Sequence, residues 1–282
     1  MSKIKQKYSP VLISLFLIIT ALLTGCFNDI NKETPNISRG LIAHYTFDKE
    51  NGHTAKDSSE YDINGTIYGA NWTQGKINGA LNFDGINDYV QIPDNQSPPP
   101  EHYKDIDQGT ISFWFKSDYI PTKNAVAPLL HYGKQKPCNV INNANGGLII
   151  ELGHDPLHNQ SKRIYFTFFS NGCELYPSLC FDSRKNIREN EWHHFVVVVG
   201  YYNNIRYNTG YLDGGEIFDR HYNFANAFTA EFFKDAVMHE SLFLGKGFWN
   251  KEVHYFDGKI DDLRIYDRPL TTEEVVLLYN LK

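Results

Sequence analysis

The residues able to do chemistry are scattered along the chain, and their spacing decides what they can do together. Trp192-His193-His194 places two imidazoles side by side at the head of an apolar run, Phe195–Val199. On a strand, neighbours point to opposite faces, so this pair cannot grip one metal ion; one core and one sheet-surface histidine are expected. None of the 11 histidines falls in an HExxH or comparable helical spacing. Retaining glycoside hydrolysis needs two carboxylates on one face, roughly 5.5 Å apart. Glu151 shares its face with Gly153, and Asp261 and Asp262 are adjacent and so point apart, so neither position supplies the pair. There is no Gly-x-Ser-x-Gly elbow and no phosphate loop. A lyase centre would draw His, Tyr and Arg from several strands, which linear spacing does not test.

Aromatic residues in loops carry a different chemistry, since a sugar's apolar face stacks on such rings while Asn and Asp bond its hydroxyls. Trp249, in a turn read from Gly245-Lys246-Gly247-Phe248-Trp249-Asn250, leads this group, with Tyr132 and Tyr202 beside it. Packing over a sheet edge is the competing role for each. Trp72, Trp114 and Trp192 lie in or beside core strands and read as structural.

Cysteine supplies the third chemistry. Lys3, Lys5 and Lys7 precede an apolar run from Val11 to Leu23, too short for a transmembrane helix and about right for a signal h-region. The run ends in Leu23-Thr24-Gly25-Cys26, which resembles the bacterial lipobox. The expectation is a lipoprotein signal peptide over 1–25, a lipid on Cys26, and a polar tether over 26–39. That places the protein in the bacterial cell envelope, periplasmic or at the outer surface, touching the membrane through its lipid anchor only. Of the remaining cysteines, Cys173 and Cys180 are close enough in sequence to pair locally. Cys138 and Cys173 flank a hairpin read from Gly147–Leu152 and Arg163–Phe169, so a bridge between those two loops is equally reachable.

These residues need a scaffold, and the sequence describes one. The chain has 282 residues, with 18 Tyr and 19 Phe against two Met, a bias that suits pleated sheets. The formal charge of −6 deepens to −9 once 1–25 is removed, because three Lys and no acid are lost. No basic stripe offers itself to nucleic acid, and the 41% apolar content excludes general disorder. More than ten short strands follow, separated by turns such as Asn51-Gly52, Asn78-Gly79 and Asp213-Gly214. The Phe195–Val199 run reads as a central strand covered on both faces. A single short helix is predicted near the C-terminus, where Thr271 and Glu274 have capping-box spacing ahead of Val275, Leu278 and Tyr279. The fold class is therefore all-β, a sandwich or jelly roll with a short C-terminal helix, one domain over 40–282.

Several segments together make the reading specific. They are Leu41–Asp48 (LIAHYTFD), Gly79–Pro93 (GALNFDGINDYVQIP), Thr110–Phe115 (TISFWF), Trp192-His193-His194, Tyr211–Gly214 and Phe256–Leu270 (FDGKIDDLRIYDRPL). In this order and spacing, residues 40–282 resemble the bacterial laminin G-like domain of the concanavalin A-like lectin/glucanase superfamily. The resemblance implies an all-β, two-sheet antiparallel jelly-roll sandwich with a short C-terminal helix, a mostly non-catalytic module that binds glycans or a surface protein. It also implies one structural calcium ion near the joined terminal strands, with Asp48, Asp57, Asn64 and Asp262 as its ligands. The alternatives are a polysaccharide hydrolase or lyase on the same fold, or a structural, adhesive envelope protein. Glu60-Tyr61 replaces the family's usual Gly-Asn after Asp57-Ser58-Ser59, and the inserts at 138–145 and 173–180 also depart from the pattern.

Overall fold

Strands form here because β-prone segments lie between tight turns; some alternate and bury one face, as Gly65–Tyr68 does, while central ones such as residues 193–200 are buried on both. The computed structural model describes residues 34–48, 51–93, 103–121, 126–133, 147–155, 160–169, 178–181, 187–218, 220–222, 231–236, 241–249 and 252–282. Contacts divide the chain into two units, Met1–Asn36 and Ile37–Lys282; among the described residues, every strand and helix lies in the second. Cys26, Cys138 and Cys173 lie outside the described residues, as does the side chain of Cys180.

In chain order the first strands are β1 (Leu41–Tyr45), β2 (Thr54–Ala55), β3 (Gly65–Tyr68), β4 (Asn71–Gln74), β5 (Gly79–Asp84) and β6 (Tyr89–Pro93). The middle of the chain gives β7 (Gly109–Ser117), β8 (Val126–Gly133), β9 (Gly147–Asp155), β10 (Gln160–Phe169), β11 (Ser178–Phe181) and β12 (His193–Tyr202). Then come β13 (Ile205–Leu212), β14 (Gly215–Glu216), β15 (Arg220–Tyr222), β16 (Ser241–Leu244), β17 (Lys246–Trp249), β18 (Glu252–Tyr255) and β19 (Asp257–Tyr266), and finally helix α1 (Thr272–Tyr279).

One sheet runs β14-β13-β12-β7-β19-β5-β4, and β1 joins it through β19. The other runs β15-β11-β10-β9-β8-β16-β6-β3-β2. A two-stranded ribbon, β17-β18, pairs with neither sheet but packs on β8, with Phe248 edge-on to His131 at 5.2 Å. Phe113, Phe115, Phe195 and Ile260 of the first sheet share one core with Leu130, Ile150, Phe166 and Leu242 of the second. Burying each such side chain is worth roughly 1.5–3 kcal/mol. β12 is covered on both faces, as its unbroken apolar run predicts. Val197 and Val199 enter the main core, while Val196 and Val198 pack with Val275 and Leu278 of α1. The helix starts where the capping box predicts: Thr271 Oγ1 accepts the Glu274 N–H, and Glu274 Oε2 accepts the Thr271 N–H.

The closing strand β19 serves two partners along one edge. Asp257–Ile260 pair with β5, and Leu263–Tyr266 pair with β1. A bulge falls at the changeover, with Asp262 at φ 46°. This corrects strict alternation: Asp261 and Asp262 both fall between the core residues Ile260 and Leu263, so they do not point to opposite faces. Trp249 is likewise strand rather than turn, because Lys246–Trp249 pairs with Glu252–Tyr255 as a ribbon.

Candidate functional site

The β4–β5 hairpin builds a cleft at the edge of the first sheet. Its turn closes with the Gly75 N–H donating to the Asn78 carbonyl at 2.8 Å, and Asn78 takes a left-handed φ of 55°. Asn tolerates that conformation better than most residues. Trp72 sits opposite Leu81, and its indole N–H is spent on the Gly52 carbonyl at 2.8 Å, which fixes the ring's angle. The resulting cavity holds about 500 Å³ and is lined by Trp72, Thr73, Gln74, Asn78 and Gly79. Asp48 Oδ1 accepts the Gly79 N–H at 3.0 Å, and Lys259 Nζ donates to Thr73 Oγ1 at 3.3 Å. An indole, two carboxamides and a hydroxyl around a cleft of this size make a site for a polar, hydroxyl-rich ligand with one apolar face. The structural role read for Trp72 holds, since it packs against the main core, and its half-buried ring also lines the cleft.

The four residues expected to hold calcium are not gathered into a cage. Asp57 is buried, and its two oxygens already accept from four donors: the His44, Ser59 and Ile63 N–H groups and the Ser59 hydroxyl. Asn64 Oδ1 accepts the Asp57 N–H at 3.0 Å, so this pair pins the loop to itself. Asp262 lies against the His44 ring at 2.7 Å and Arg264 Nε at 3.0 Å. Burial would raise its carboxyl, but the His44 hydrogen bond and the Arg264 charge outweigh burial and hold it below the usual range. Asp48 stands at the cleft instead. Among the described residues, no group of three or more His, Cys, Asp or Glu could hold a metal ion. The donor set does not fit a calcium ion.

The aromatic candidates are also dispersed. Tyr132 is fully buried, packed edge-on against Tyr103 and Phe233 in the core, and so cannot stack on a ligand. Tyr202 is 73% exposed at the β12–β13 hairpin, whose Asn203-Asn204 turn has φ values of 50° and 61°. That hairpin and the β4–β5 cleft occupy opposite ends of the first sheet. The side chain of Trp249 lies outside the described residues.

The histidine pair splits between faces but is buried on both, which corrects the expected surface residue. His193 Nδ1 meets Asp213 Oδ2 at 2.9 Å, and its ring lies 5.8 Å from Phe115 on the core side. His194 Nε2 meets Ser112 Oγ at 2.9 Å on the far face, where α1 excludes solvent. Ser112 and His194 have the geometry of a nucleophile and its base. Burial, however, lowers the imidazole pKa to about 4, and no carboxylate orients its Nδ1, so the pair is too weak a base for acyl transfer. Glu151 is buried with Oε2 unpartnered, and burial pushes its pKa up to about 8. Its strand neighbour across β10 is Tyr165, with no second carboxylate in the pairing.

A family model matches residues 84–276, more than half of the chain. The chain belongs to the concanavalin A-like lectin/glucanases superfamily. No curated protein matches this superfamily member significantly. Among solved structures it is similar to domain 4 of AbnA, a GH43 extracellular arabinanase from Geobacillus stearothermophilus, solved in complex with arabinotriose. The TM-score is 0.55 at 23% identity, over 85% of this chain and 98% of that one. The binding domain of botulinum neurotoxin DC is similar in two complexes. With SialylT the TM-score is 0.56 and with rat synaptotagmin II it is 0.57, each at 16% identity over 87% of this chain and 52% of the toxin chain. The superfamily member thus spans about half of those toxin chains. At such identities the likeness is one of fold.

Proposed function

We propose that the protein is a non-catalytic binding module for a glycan, carried in the bacterial envelope on a lipid attached to Cys26. The observation that carries this reading is the β4–β5 cleft, where Trp72, Gln74 and Asn78 combine a stacking ring with two carboxamides. The arabinotriose and SialylT complexes of similar folds support it. The glycan's apolar face lies along the indole, and its hydroxyls bond the carboxamides. A glycan array probed with the purified protein tests the assignment. Binding without product release, weakened by Trp72→Ala, is the expected result; cleavage of the bound glycan would replace the module with an enzyme. Mass spectrometry of the membrane-extracted chain, which should begin at a diacylglyceryl-modified Cys26, tests the anchor.

A protein ligand is the second reading, and one observation favours it. Tyr202 and Ile205 are 73% and 69% exposed at one hairpin tip, with Tyr201 beside them. Such a protruding apolar group fits a pocket on another protein, and the synaptotagmin complex shows a similar fold solved with a protein.

A further inference from the structure

Three polar atoms on the face of the first sheet turned away from the core are buried without hydrogen-bond partners: Asp261 Oδ1, Trp114 Nε1 and His194 Nδ1. They belong to one row, because Asp261 pairs with Trp114 across β19–β7, and Trp114 pairs with His194 across β7–β12. Directly opposed residues on one face have side chains about 5 Å apart. Each of the three residues is at most 1% exposed. Leaving one such atom unpaired is costly, so three together ask for a ligand or water that the fold is built to hold.

The second half of the observation is the roof. Tyr279, the last residue of α1, stacks on the Trp114 ring at 5.5 Å and 22°, and Lys76 Nζ stands 4.7 Å from the same ring. Tyr279 is half-buried and Lys76 is exposed, and neither belongs to the main core. Gly214, at φ 77°, leaves room for the tyrosine: a Cβ there would stand 2.9 Å from Tyr279 Cδ1. Lys76 belongs to the turn that forms the lip of the Trp72 cleft, and its N–H and that of Ile77 hold Asp261 Oδ2 at 2.8 Å each. The turn therefore has the cleft on one side and the buried row on the other.

We infer that the Asp261–Trp114–His194 row is a second sugar subsite, closed in the free protein by Tyr279 and Lys76. The inference rests on the glycan reading above. A neutral monosaccharide unit matches the row, since its C–H face takes the indole in place of the tyrosine ring. Its hydroxyls, each donor and acceptor, satisfy the indole N–H, the Asp261 oxygen and the His194 nitrogen.

The test uses full-length protein labelled with 5-fluorotryptophan and followed by 19F NMR. The four tryptophan resonances are assigned with Trp72→Phe, Trp114→Phe, Trp192→Phe and Trp249→Phe, the last by elimination if one variant does not fold. L-arabinose, D-glucose, D-galactose and arabinotriose are titrated in turn. The expected result is a saturable shift of the Trp114 resonance, with a Kd lowered about tenfold in Tyr279→Ala, which removes the cost of opening. A shift of the Trp72 resonance alone, or a Kd unchanged by Tyr279→Ala, overturns the subsite and leaves the cleft standing. A shift of Trp114 alone keeps the subsite and removes the cleft. If no resonance moves with any sugar, both fail, and the row holds only water.

Discussion

The backbone N–H of His44 donates to Asp57 Oδ1 at 2.9 Å, while the His44 ring lies 2.7 Å from Asp262 on the closing strand. One residue thus ties the loop ahead of β3 to β19. Asp57→Ala removes the acceptor from four donors at once, and buried donors left unpaired are expensive. The expected loss is about 2–4 kcal/mol in urea unfolding. A change below about 0.5 kcal/mol would show that the loop is pinned elsewhere.

Chelation is expected to do nothing. The Asp57 and Asp262 oxygens are already committed to protein donors, so EDTA should leave the melting temperature where it was, and added Ca²⁺ should not raise it. A fall of more than about 3 °C on chelation would reveal a cation the donor set does not predict.

Stability should fall as pH rises from about 4.5 to about 8. Glu151 loses its proton near 4.5 when unfolded but holds it to about 8 when folded, because burial disfavours the carboxylate. Between these values the folded state binds more protons, so the contribution is complete below about 4.5 and gone above about 8. Asp261, raised from 3.8 to about 7 chiefly by burial, adds the same sign over its own interval. Asp262, lowered, acts oppositely and only in acid. Glu151→Gln should flatten the profile and melt above the parent at pH 8.5; a parallel profile would refute the assignment.

Trp72→Ala should weaken binding of any array-positive glycan by at least about tenfold, the value of one lost aromatic stack. Far-UV circular dichroism should be unaltered, because β4 is an edge strand and the ring is only half-buried. Full affinity in the variant would place the sugar elsewhere.

Tyr202→Ser is expected to change stability by no more than about 0.5 kcal/mol and to leave glycan affinity intact, since this residue stands at the opposite end of the sheet from the cleft. Loss of glycan binding in this variant would move the site to the hairpin.

The sandwich and its helix were legible because their signals are local. Phe195–Val199 reads as a doubly covered strand from composition alone, and Thr271 and Glu274 announce a helix start by spacing. The site was less legible because it depends on distant pairings. A bulge at Asp262, set where β19 exchanges β5 for β1, puts two acidic neighbours on one side against the alternation rule. Tyr132 sits in a stretch of mixed polarity, and only the packing of Tyr103 and Phe233 shows that it is core. Trp72 needed the Gly52 carbonyl, twenty residues away, to hold its ring at the cleft.

β19 also fixes when this molecule can fold. It is the partner of β1, β5 and β7 together, yet within the sequence it follows every other strand. A growing polypeptide therefore carries β1 with nothing to pair with until Leu263–Tyr266 has been made. Contacts that span so much of the chain form slowly and late. β5 and β7 likewise lack their common neighbour until synthesis has reached Tyr266.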